Sequence, residues 1–144
     1  MNATMETFGW PSSRVAALDH WVVALRPAQP VAGSLVVICT EPVTAFGAVS
    51  PAAFAELASV TARVEALLRT EVQYERINWL MLMMVDPDVH FHVLPRYDGS
   101  RSIAGHDLPD TGWPGPPQLA SGVTLSADEI AETATRLASA WDGL

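Results

Sequence analysis

Asp88-Val-His-Phe-His-Val-Leu-Pro-Arg-Tyr97 sets two of the four histidines of this 144-residue chain two positions apart, between apolar neighbours. In an extended strand successive side chains point to opposite faces, and neighbours on one face stand roughly 6.5–7 Å apart. Asp88, His90 and His92 therefore share one face, and Val89, Phe91 and Val93 the other. One face packs; the other presents a carboxylate and two imidazoles. Upstream, Asn78-Trp-Leu-Met-Leu-Met-Met-Val85 reads as a buried strand, Asp86-Pro87 as a turn, and Pro95-Arg96 as the end of the following strand. Together they predict an antiparallel hairpin. A lone His-x-His also fits a half-exposed strand with two ordinary histidines. Its place on a braced hairpin favours a site, because a rigid element holds side chains in fixed geometry.

Helices flank this hairpin. Ser50-Pro51 is an N-cap followed by a first-turn proline, and Phe54, Leu57, Val60, Val64, Leu67 and Leu68 form a helical stripe to about residue 72. Ser126 and Glu129 make a capping-box pattern ahead of Ile130, Ala134, Leu137 and Trp141, which predicts a closing helix over about 126–142. Both helices read as scaffold. Between hairpin and closing helix, residues 98–125 are rich in Gly, Pro, Asp and Ser and read as an irregular loop, with His106 and Trp113 as side chains able to fold over a ligand. Trp21 and Trp79 lie in strand-like segments and read as core. His20 has no motif partner. The order strand, strand, helix, strand, strand, loop, helix predicts one α+β domain around an antiparallel sheet.

The balance of charge narrows the partners. Sixteen Asp and Glu stand against eight Arg and no Lys, for a formal charge of −8. An acidic surface of that kind repels nucleic acid and anionic membranes. A small phosphorylated ligand needs only local positive groups, for which Arg26, Arg96 and Arg101 are the candidates, Arg101 reading more readily as a surface residue. The absence of lysine excludes a lysine nucleophile or Schiff base. Cys39 is the only cysteine, so no intrachain disulfide forms, and its apolar setting, Leu35-Val-Val-Ile-Cys39, suggests a buried thiol. With 49% hydrophobic residues the chain can build a core. No apolar run approaches the roughly 18 residues that span a bilayer, and no signal-like N-terminus is present, so a cytoplasmic location is expected.

HFHVLPRY, with the strand and turn before it, resembles the signature of the histidine triad family of nucleotide-binding proteins, in which three histidines alternate with hydrophobic residues. The resemblance extends over most of residues 10–142. Trp21-Val-Val-Ala-Leu-Arg-Pro27 and Gly33-Ser-Leu-Val-Val37 look like the family's first long strands, and Trp113-Pro114 with a closing helix fits a bacterial branch. It implies a five-stranded sheet, commonly a homodimer, no cofactor, and a purine nucleotide or other phosphorylated small molecule as ligand. His90 matches the central histidine, which attacks the α-phosphorus in catalytic members and forms a covalent nucleotidyl-imidazole. His92 matches the third, which faces the phosphate and leaving group. Imidazole suits these roles: a neutral ring nitrogen is nucleophilic near pH 7, and a protonated neighbour can assist departure.

Three departures stand beside the match. Asp88 occupies the first histidine's position, where the family orients the nucleophile largely through a backbone carbonyl that Asp88 still supplies. Ser34 follows Gly33 where many hydrolases of the family carry a further histidine. Only a short Val85-Asp-Pro turn precedes the motif where many members have a phosphate-binding loop. Asp88 and Ser34, with Arg26 and Arg96, are thus expected at the substrate. The leading expectation is a nucleotide hydrolase or nucleotidyl transferase acting on esters, phosphoramidates or dinucleoside polyphosphates. One rival is a nucleotide-binding protein with little catalysis, and a second is a metal site built from Asp88, His90 and His92, the ligand types of a two-histidine, one-carboxylate centre.

Overall fold

The strands around the histidines form part of a five-stranded antiparallel sheet in a computed structural model that describes residues 1–144. In chain order the elements are α1 (Ala3–Thr7), β1 (Arg14–Ala17), β2 (Trp21–Leu25), β3 (Ala28–Gln29), β4 (Leu35–Cys39), α2 (Pro51–Val72), β5 (Arg76–Leu80), β6 (His90–Arg96), β7 (Ser100–Ile103), β8 (His106–Pro109), β9 (Val123–Thr124) and α3 (Ala127–Asp142). The sheet runs β1-β2-β4-β6-β5. Strands β6 and β4 pair with His90 opposite Ile38 and His92 opposite Val36, while His92 also lies opposite Leu80 of β5. His92 is thus held by a ladder on both sides, and His90, beyond the end of β5, by β4.

Alternation divides the strands into two faces with different cover. Trp21, Val23 and Leu25 of β2, Leu35, Val37 and Cys39 of β4, and Val93 of β6 belong to the main core, packed with Val60, Val64, Leu67 and Leu68 of α2 and Leu137 and Trp141 of α3. The Trp21 indole N–H donates to the Ala53 carbonyl at 2.8 Å, and that of Trp79 to Glu65 at 3.0 Å, so both tryptophans serve the helix side. On the opposite face Val22, Val36 and Ile38 form a smaller cluster with Met5 and Phe8 from the N-terminal segment. That second face carries His90 and His92. The capping residues act as their sequence suggests: Ser50 accepts from the Ala53 N–H, and Ser126 and Glu129 make a complete capping box.

Two expectations change. The apolar run to Val85 is not all strand, because β5 ends at Leu80, Met83 adopts a left-handed φ of 51°, and Met84 and Val85 are 84% and 92% exposed. The connection to β6 therefore runs from Met81 to Val89 and is longer than a tight turn. Residues 98–125 are also less irregular than their composition suggests, since β7 and β8 form a hairpin and β9 pairs with β3. Arg101 fixes that hairpin to the end of α2 by donating to the Val72 and Gln73 carbonyls. His106 lies 2.6 Å from Glu129, at the start of α3, rather than over the histidines.

Candidate functional site

His90 is 2% exposed, and its Nδ1 lies 2.7 Å from the backbone carbonyl of Asp88. A carbonyl only accepts, so Nδ1 carries the proton and the lone pair resides on Nε2. His92, 8% exposed, has a buried Nδ1 with no partner. Burial, then the charge of Arg26, then His90 push its pKa down to about 4, so the ring is neutral at ordinary pH. A buried orphan lone pair is tolerated more readily than a buried orphan N–H, which assigns the His92 proton to Nε2. The two rings meet edge to face at 5.1 Å. One offers a lone pair and the other a neutral N–H.

They open on a cleft of about 320 Å³ whose other walls come from three segments. Thr7 and Phe8 close one side, Leu82 to Asp86 another, and Arg26 a third. Phe8 packs on both imidazoles, with ring centroids 6.1 Å from His90 and 5.7 Å from His92. Arg26 donates through Nη1 to the Ala28 carbonyl at 2.7 Å, while its Nε is buried without a partner. Burial lowers its pKa from the usual guanidinium value. Gln29 holds the Arg26 loop in place: its amide donates to the Arg26 and Ser34 carbonyls and accepts from the Gly33 and Ser34 N–H groups.

This architecture has close counterparts among solved structures. A histidine triad (HIT) protein of Sinorhizobium meliloti aligns over 96% of this chain and 94% of its own, with 20% identity and a TM-score of 0.72. A histidine triad protein of Bradyrhizobium japonicum aligns over 95% and 93%, with 16% identity and a TM-score of 0.70. This is the histidine triad fold. A hypothetical histidine triad nucleotide-binding protein of Sulfolobus tokodaii shares it, with 16% identity, 92% and 85% coverage and a TM-score of 0.68. No protein-family model matches the chain, and no curated protein matches it by sequence.

Within this histidine triad fold the expected residues separate. His90, His92 and Arg26 converge on one cleft. Asp88 does not line it: the carboxylate accepts from the Thr4 N–H at 3.1 Å and the Thr4 hydroxyl at 2.9 Å. With that carboxylate engaged by α1, the Asp-His-His metal arrangement is not formed, and no group of three His, Cys, Asp or Glu side chains is placed to hold an ion. Ser34 is fully buried and donates to the Val31 carbonyl at 2.7 Å, a turn contact away from the cleft. Arg96 is 4% exposed and is held by Asp110 at 2.7 and 3.1 Å, by Asn78 and by the Gly115 carbonyl. It borders a separate hollow of about 430 Å³ that also includes Trp113, so neither residue reaches the histidines.

Sequence reasoning missed Thr4, Thr7, Phe8 and the pocket-lining stretch Leu82–Asp86. A five-residue helix is too short to display a periodic stripe, and Leu82–Val85 has the composition of a buried strand. The visible signal was Asp86-Pro87, which marked the break without its length.

Proposed function

We propose that this protein binds a phosphorylated small molecule, a nucleotide ester or a dinucleoside polyphosphate, and transfers its nucleotidyl group through His90. The observation that carries the reading is the 2.7 Å contact from His90 Nδ1 to the Asp88 carbonyl, which leaves Nε2 as a nucleophile on the cleft side. Its lone pair forms the N–P bond as the bond from phosphorus to the leaving group breaks, and the leaving group departs with that electron pair. The Nδ1 proton remains on the ring, bonded to the carbonyl. Water then attacks phosphorus, the N–P pair returns to Nε2, and the water proton passes to solvent.

His92 differs from the acid that the motif suggests. Held neutral by burial, it donates a hydrogen bond from Nε2 to a phosphoryl oxygen rather than a proton to the leaving group. Arg26 supplies positive charge at the same cleft. Without a strong acid the reaction favours leaving groups stable as anions, so phosphoanhydrides should outperform phosphoramidates, whose amine must be protonated. The apolar side chains of Phe8 and Met83 suit a nucleobase. The proposed setting is cytoplasmic, in keeping with the absence of any helix long and apolar enough to cross a membrane. The proposed partner is a second copy of the chain, supported by the unpaired outer edge of β5 and the exposed Leu82, Met84 and Val85 beyond it.

Replacing the nucleophile tests the chemistry. His90→Ala should abolish turnover of dinucleoside polyphosphates and the covalent nucleotidyl adduct detected by intact-protein mass, with the far-ultraviolet spectrum unchanged. Turnover at the wild-type rate would exclude His90. A binding protein without catalysis is the second reading, favoured by the Phe8 ring lying against both imidazoles. It predicts nucleotide binding with neither turnover nor adduct in the wild type.

A further inference from the structure

The first motif position forms an unexpected structure with the chain terminus. Thr4 is fully buried, and its hydroxyl both donates to the Asp88 carboxylate at 2.9 Å and accepts from the Asp88 N–H at 3.1 Å. The Thr4 N–H makes a third bond between the two residues, the second to that carboxylate, at 3.1 Å. Residue 88 is therefore gripped through its backbone N–H and its side chain, and its remaining polar group, the carbonyl, is the one that receives His90 Nδ1. The other hold on that peptide is a longer bond, 3.3 Å, from the Val89 N–H to the Val43 carbonyl.

We infer that Thr4 is a positioning residue for the proposed nucleophile, acting through Asp88 to fix the carbonyl that sets the His90 tautomer. The inference rests on the reading of His90 given above. It gives Asp88 a role unrelated to touching phosphate: its carboxylate faces Thr4 and its carbonyl faces the histidine. Hydrogen bonds to an ionised carboxylate are the stronger kind, and removing the Thr4 hydroxyl would also take away the partner of the part-buried Asp88 N–H. The same segment carries Phe8 onto the imidazole rings. Five residues do not sustain a helix alone, so the grip also keeps α1 docked, together with Asn2, whose side chain caps the helix and donates to the Cys39 carbonyl at 3.0 Å.

The test uses Thr4→Val, which keeps the shape and loses the hydroxyl, beside Thr4→Ser, which restores it. Side-chain 15N shifts of His90 report the tautomer without any need for substrate. The wild type and Thr4→Ser should show a protonated Nδ1, whereas Thr4→Val should show a mixture with the Nε2–H form. In turnover, Thr4→Val should lower kcat by about tenfold, equivalent to about 1.4 kcal/mol, with KM little changed. Asp88→His should reproduce the Thr4→Val shifts, although it restores the letter of the motif. Wild-type His90 shifts in Thr4→Val, or in Asp88→His with raised turnover, would overturn the inference. A wild type without turnover would defeat the proposed reaction, and the nitrogen shifts would still decide whether Thr4 sets the tautomer.

Discussion

At the scale of single residues, two histidines of one strand differ in electronic role because their surroundings differ. His90 finds a carbonyl for Nδ1, whereas the corresponding atom of His92 finds nothing. The second ring has a consequence for stability. In the unfolded chain it takes up a proton near pH 6.5, but in the fold burial and Arg26 hold it neutral until about pH 4. Between those values the unfolded state binds more protons, so stability is fully present above pH 6.5 and falls as the pH drops toward 4. Urea unfolding of the wild type and His92→Gln across that window should give a steeper loss in the wild type; parallel curves would mean that His92 titrates normally. The pair itself was readable from spacing, because a period of two suffices to put both rings on one face. The fate of Asp88 was not, since it depends on Thr4, 84 residues away in sequence.

At the scale of elements, local rules succeed where an element is long or capped and fail where its partner is distant. Helices α2 and α3 begin where Ser50 and Ser126 place them. The stretch Leu82–Val85 misleads because its composition matches a strand, while the fold uses it as a cleft wall. Strand β9 leaves almost no sequence signal, being two residues long and paired with an equally short β3. Gly122 shows how tightly that pair is fitted. Its φ is +91°, and a Cβ there would stand 1.9 Å from the Gln29 carbonyl oxygen. Gly122→Ala must therefore displace backbone, and should destabilise the protein by about 1–3 kcal/mol. Because Gln29 braces the loop carrying Arg26, ligand affinity should fall with it. A variant with wild-type urea midpoint and affinity would show that β9 is not needed to hold that loop.

At the scale of the molecule, the sheet separates scaffold from chemistry. Its helix side holds the large core, and its other side holds the histidines beneath a short N-terminal segment. The antiparallel α+β plan was legible because every long strand carries its own alternation or apolar run. The proposed second copy rests on family likeness, and the fold leaves the edge of β5 open to receive it. Sedimentation velocity at micromolar concentration should give a dimer, and Val85→Glu with Met84→Glu should shift it toward monomer. A wild type that sediments as a monomer would remove the second copy from the proposal.

The position of α1 bears on any experiment that uses a fused affinity tag. A tag joined ahead of Met1 extends the segment whose Thr7 and Phe8 line the cleft, and loads the short helix that Asn2 caps. One joined after Leu144 leaves from the end of α3, in the layer across the sheet. The two fusions therefore load opposite faces of the sheet, and only the one ahead of α1 bears on the segment packed over the histidines.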